Sequence, residues 1–135
     1  MKRQALIALV PLLLAALAVA AAPKHVEPKG PKLAHMVFFT LKDRTKGARE
    51  AMAAHCHKYL SGHDGVLYFS VGTIAEDVVE PVSDRDFDIA LHLVFDSKES
   101  ELKYIDAPRH KEFVAGGRAM WSRVRVFDSY LTEPK

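Results

Sequence analysis

The segment LAHMVFFTL, residues 33–41, is apolar on both parities. Leu33, Val37, Phe39 and Leu41 fall on one face of an extended chain, and Ala34, Met36 and Phe38 on the other. A strand of this kind has to be covered on both sides. A fold that supplies helices to only one side of its sheet therefore leaves the second side to be covered by something else.

Beyond this strand, helix and strand signals alternate. From Thr45 to Ser61 the spacing predicts a helix of about four turns. Ala48, Met52, Cys56 and Leu60 recur every fourth residue as one apolar stripe, with Tyr59 beside it, and Gly62 stops the helix. VLYFSVGTI, Val66 to Ile74, reads as a second strand, and AEDVVEPVSDRD as an acidic, Pro-containing connection. FDIALHLVF is the third strand. Its alternation puts Phe87, Ile89, Leu91, Leu93 and Phe95 on one face and Asp88, Ala90, His92 and Val94 on the other. Asp96, with Glu99 three residues on, has the form of a capping box for a second helix. That helix carries Leu102 and Ile105, breaks near Pro108 and resumes as RHKEFVAGG up to Gly116 and Gly117. A last strand spans about Ser122 to Leu131.

The order is β-α-β-β-α-β, for which the usual α+β outcome is a ferredoxin-like protomer, one sheet with helices on one face. The uncovered face then finds its cover most economically in a second copy of the same sheet. Burying several hundred square ångströms of apolar surface stabilises by on the order of ten kcal/mol before association costs. A homodimer with facing sheets, a dimeric α/β barrel, is the expectation.

The amino-terminal residues have a different character. Lys2 and Arg3 precede an uncharged apolar run from Ala5 to Ala22 that ends in small residues. This is the layout of a secretory signal peptide at 1–21, cut after Ala20 or Ala21, with an uncleaved anchor as the rival reading. The expected destination is the periplasm or the extracellular space, with no membrane attachment once the leader is removed. Residues 22–32, rich in Pro and Lys, form a linker; 33–131 form one domain; 132–135 are a tail. The chain has 19 Lys+Arg against 17 Asp+Glu. Loss of Lys2 and Arg3 with the leader leaves 17 of each, and a neutral chain has no electrostatic footprint for nucleic acid. Cys56 is the single cysteine and reads as a small core residue.

Seven histidines raise the question of a metal. His55 and His57, two apart on a helix, point about 200° apart and cannot close on one ion. His63 lies past the helix in a Gly-flanked turn, and neither HExxH nor paired CxxC is present. These histidines read as a solvated helix face, with no metal and no cofactor. His35, in the first strand, and His92, flanked by the small Ala90 and by Val94, are candidates for a cavity wall, against the plainer reading of core histidines with ordinary partners. His110 is the third. An imidazole in a dry pocket can take a proton from a carbon acid, and a Tyr hydroxyl can hold the oxyanion that develops. Tyr104 and His110 are six residues apart across the Pro108 break, so spacing does not fix their relation.

His35, Val37, Phe39 and Leu41 form the pattern H-x-V-x-F-x-L. With GVLYFSVG, FDIALHLVFDSKESELKYIDAPRHKEF and the closing V-x-V-F-D strand, the chain from Leu33 to Leu131 resembles the stress-responsive A/B barrel domain (Dabb) family of the dimeric α/β barrel superfamily. The resemblance implies the same protomer and homodimer but no single activity. One member, olivetolic acid cyclase, closes a polyketide ring by aldol chemistry with a Y-x5-H segment, and Tyr104 and His110 match that spacing. His35 matches an early His of its first strand. Ala107 stands where the usual H-P-x-H has its first His, and Met36, Phe38 and Trp121 shape a pocket of this chain's own.

One function is expected first from these features, and two others stand as its alternatives. The first is an exported dimer of unassigned activity that binds a small apolar ligand, through His92, Phe38, Met36 and Trp121, in a pocket without a convergent acid–base pair. The second is a lyase or cyclase acting on an enolisable substrate, with His110 as base, Tyr104 steadying the enolate and His35 beside them. The third is a monooxygenase-like or haem-handling barrel using His92 or His110.

Overall fold

The structure, a computed structural model, describes residues 30–132. The leader, most of the linker and the tail beyond Thr132 lie outside the described residues. The elements run in the order β1 (Leu33–Leu41), α1 (Lys46–Leu60), β2 (Val66–Thr73), β3 (Ile89–Phe95), α2 (Lys98–Asp106), α3 (Pro108–Gly117) and β4 (Trp121–Tyr130). The strands make one sheet in the order β2-β3-β1-β4, with every neighbouring pair antiparallel. β3 separates β1 from β2, and β1 separates β3 from β4. Both βαβ units are thus split, which is the ferredoxin-like arrangement.

The alternation of β1 and β3 decides what each face of the sheet meets. Leu33, His35, Val37, Phe39 and Leu41 of β1 are buried, as are Ile89, Leu91, Leu93 and Phe95 of β3. The apolar ones form the core with Met52, Cys56 and Leu60 of α1, and with Tyr104, Phe113 and Trp121. The stripe on α1 is the one its spacing predicts. Thr45 Oγ1 accepts the Ala48 amide at 3.3 Å and starts the helix. Gly62, at φ 68°, turns the chain out of it in a conformation that favours glycine. Cys56 is fully buried, and burial pushes its thiol up to about 12. Met36, Phe38, His92 and Val94 lie on the other face, only partly covered.

Two expectations are corrected, the cap of α2 and the start of β3. The cap of α2 is Ser97, not Asp96: Ser97 Oγ accepts the Ser100 amide at 3.3 Å. The Asp96 amide still donates to the Gly65 carbonyl at 2.9 Å, which keeps it with the sheet, so the helix starts one residue later. The inward face of α2 is made by Glu101 and Tyr104, while Leu102 is 54% exposed. The start of FDIALHLVF also departs from the simple alternation, because regular strand begins only at Ile89. Phe87 packs against Phe38 on the open face, ring centroids 5.2 Å apart, and the Asp88 carboxylate is buried completely.

Asp88 is drawn inward by its partners. Its carboxylate accepts the Leu41 amide at 2.9 Å, Arg44 Nε at 3.1 Å and Arg49 Nε at 3.0 Å. It therefore ties β1, the β1–α1 turn and the first turn of α1 to the entrance of β3. Burial alone pushes its pKa up, but the amide and the two guanidinium groups together hold it below the usual carboxylate range.

Candidate functional site

The site is made where the second helical run breaks. Ala107 is extended, at φ −61° and ψ 140°, as the residue before a proline prefers. Pro108 then opens α3 at a position where its missing N–H leaves no bond unmade. An unbroken helix would point Tyr104 and His110 about 120° from alignment. Across the break the two rings meet instead, with centroids 4.8 Å apart at an interplanar angle of 61°.

Both rings line a cavity of about 420 Å³ between the helix-facing side of β1 and β4 and the inner sides of α2 and α3. Val37, Phe39, Leu91, Phe113, Trp121 and Val126 make most of its wall apolar. The polar groups that reach it include His35, Glu101, Tyr104, His110 and Asp128. His35 comes from β1, where the register puts it opposite Asp128 of β4. Its Nδ1 lies 2.6 Å from Asp128 Oδ1. An ionised carboxylate can only accept, so Nδ1 carries the proton of this bond. The Glu101 carboxylate lies 3.9 Å from the same Nδ1. The His35 and Tyr104 rings are 6.1 Å apart, edge to face.

The surroundings set the proton affinities. Burial lowers the pKa of His110, and the nearby His35 and His63 lower it further against the opposing effect of a bond to the Ile105 backbone. His110 is therefore neutral at pH 7 and able to accept a proton. Burial raises the Tyr104 hydroxyl well above its usual range, with Cys56 and Glu101 adding to the effect, so it stays protonated as a donor. Burial also raises Glu101; His35 pulls it back and Asp128 pushes it up again. A neutral base against the ring of a protonated tyrosine, in a mostly apolar wall, supplies a group able to take a proton from carbon and a donor for the resulting oxyanion.

Of the residues that the sequence points to, His35, Tyr104, His110 and Trp121 share this cavity. Met36, Phe38 and His92 do not. They lie on the opposite face of the sheet, where His92 Nδ1 is 3.3 Å from Ser70 Oγ and its ring is 6.1 Å from that of Phe38. The ligand set is thus divided by the sheet, and His92 and His110 stand on opposite sides of it. The α1 histidines are also less solvated than expected. His55 Nε2 donates to the Phe113 carbonyl at 3.0 Å and its ring stacks on Phe113, which fastens α1 to α3. His63 Nε2 donates to the Tyr59 carbonyl at 2.8 Å; His57 is exposed. Glu101 and Asp128 are cavity residues that apolar patterning passes over. Two signals mark them: Glu101 stands three residues before Tyr104 on a helix, and Asp128 shares a strand parity with Val124 and Val126.

The profile of the Stress responsive A/B Barrel Domain family matches residues 33–131. None of the curated proteins matches the chain. Among solved structures, a Dabb family protein with a ferredoxin-like fold from Mesorhizobium loti is similar at 21% identity and a TM-score of 0.64, over 77% of this chain and all (100%) of that one. A dimeric ferredoxin-like protein of unknown function from Thermobifida fusca is similar at 17% identity and a TM-score of 0.63, over 76% of this chain and 93% of the other. A hydroxynitrile lyase from Passiflora edulis is similar at 19% identity and a TM-score of 0.62, over 78% and 97%. At such identities the likeness is one of fold.

Proposed function

Because the chain belongs to the stress responsive A/B barrel domain family, we propose that it works as a homodimer that binds a small, mostly apolar, enolisable molecule and moves a proton on it. In this reading His110 is the base and Tyr104 the hydroxyl donor. The convergence of His110, Tyr104 and His35 on one apolar cavity carries it. That convergence favours acid–base chemistry over simple ligand storage, for which no such grouping is needed. A hydroxynitrile lyase stands among the structural relatives, and lyase chemistry is a class in which a base and a hydroxyl donor act together. The fold itself argues for no activity.

The dimer rests on the open face. Met36, Phe38 and Val94 are only partly covered there, and Tyr68 and Phe127 are 55% and 49% exposed. An apolar sheet face of this kind calls for a partner, and a relative of the same fold is described as dimeric. The leader composition further supports export of the mature chain. Native mass spectrometry of the exported protein reads both features at once. Two subunits, each starting at Ala21 or Ala22, are expected; a monomer refutes the dimer, and a retained Met1 refutes cleavage.

Proton transfer is tested without knowing the natural substrate. α-Proton exchange of phenylacetone in D2O, followed by NMR, should be accelerated by the wild-type protein. His110→Ala should lose the acceleration by about a hundredfold or more, with the circular dichroism unchanged. Because the site depresses the His110 pKa, the rate should be flat through neutrality and fall only below the ordinary imidazole range. Equal rates for the wild type and His110→Ala would remove His110 from the role of base.

A further inference from the structure

His35, Glu101 and Asp128 bring one imidazole and two carboxylates together at the end of the cavity next to the β4 edge. Their donor atoms all lie within 4.8 Å of one another. Each comes from a different element, β1, α2 and β4, so the grouping is made by the tertiary fold. We propose that these three side chains bind a divalent first-row transition ion, one per chain, through an N/O/O donor set.

Three observations point to a ligand here. First, Glu101 is nine-tenths buried, faces the cavity, and its carboxylate accepts no hydrogen bond from any other described residue. Buried carboxylates ordinarily have such partners. Second, two carboxylates share a single imidazole, so the ionised group has a net negative charge whether the ring is protonated or not. A dication neutralises it, which Lys98 of α2, exposed to solvent, does only in part. Third, Glu101 and Asp128 also border a shallow outer depression together with Lys98 and Tyr130, which gives an ion a route from solvent. The donor chemistry fits an ion such as Zn2+, Co2+ or Mn2+, which takes imidazole and carboxylate together.

The geometry needs one small adjustment. An ion with bonds of about 2.1 Å holds neighbouring donors roughly 3–3.5 Å apart. The His35–Asp128 distance of 2.6 Å therefore has to open, while the His35–Glu101 distance of 3.9 Å closes slightly. Asp128 can make that movement, because its side chain is 49% exposed on an edge strand. The ion takes the Nδ1 position of the proton between His35 and Asp128; a neutral ring keeps that proton on Nε2 and a cationic ring gives it up, so binding releases at most one proton. This inference does not depend on His110 acting as a base, and either can fail alone.

The experiment is a titration of untagged, metal-free protein with Co2+, read by its visible d–d absorption and by calorimetry in two buffers of different ionisation enthalpy. One ion per chain and release of no more than one proton are expected. Glu101→Gln and Asp128→Asn, both close in shape to the native residues, should each weaken binding by about tenfold or more. His110→Ala should bind as the wild type does. Absence of a Co2+ band at millimolar metal overturns the proposal. So does binding that both carboxylate variants leave unchanged, since that would place the ion elsewhere, for instance on the exposed His57.

Discussion

Asp88 and Glu101 are both buried carboxylates, 0% and 8% exposed, and the fold treats them in opposite ways. Asp88 accepts an amide and two guanidinium groups. Glu101 has one ion-pair partner among the described residues, His35 at 3.9 Å. Taking a carboxylate out of water costs several kcal/mol unless charge and hydrogen bonds offset it. For Asp88 the offset is built into the frame. For Glu101 the frame offers charge from His35 and Lys98 but no hydrogen-bond donor among the described residues, and Glu101 is the one that borders the cavity. The carboxylate with donors on every side holds the frame together, and the one without a donor among the described residues faces the cavity.

The largest effect that would sharpen the contrast belongs to Asp88. Asp88→Ala leaves the Leu41 amide without its acceptor and strips Arg44 and Arg49 of a shared counter-ion. The expected loss is about 3–5 kcal/mol of unfolding free energy in urea denaturation. A loss below about 1 kcal/mol would show that the hub is incidental. The pH dependence has a definite sign. The folded pKa of Asp88 lies below its unfolded value, so its contribution is complete above roughly pH 4 and is lost as pH falls through the folded value. Asp88→Asn should therefore lose stability less steeply in acid than the wild type does.

The frame is legible in the sequence where one physical effect dominates. The apolar stripe Ala48, Met52, Cys56, Leu60 and the two-faced strand LAHMVFFTL are burial patterns, and burial obeys the periods 3.6 and 2. The site is legible only in part, because its residues break those patterns. Leu102 and Ile105 are the apolar residues of α2 in the sequence, yet its buried residues are Glu101 and Tyr104, Leu102 is exposed and Ile105 borders the cavity. The relation of Tyr104 to His110 depends on the turn at Ala107 and Pro108, which spacing does not encode. Asp128 and His35 are 93 residues apart and meet only through the β1–β4 register, a long-range pairing that no local window contains. Met36, Phe38 and His92 are grouped with Trp121 in the sequence reading, which has no register to separate them. The register of the sheet sets them on opposite faces.

The smallest effect is the one that most directly tests the comparison. In metal-free protein at neutral pH, Glu101→Gln replaces a buried charge with a neutral amide of the same shape, which can donate to Asp128. If the charge is uncompensated, the variant should be more stable than the wild type, by roughly 1 kcal/mol. The corresponding change at the hub, Asp88→Asn, should destabilise. Opposite signs from the same kind of substitution, both read from urea midpoints at unchanged slope, are what the two environments require. Saturating Co2+ should then reverse the order at Glu101 alone, because an ion that binds only the folded wild type adds stability by mass action. If Glu101→Gln lowers stability without metal, the carboxylate is already satisfied by its protein neighbours and the distinction between the two residues fails.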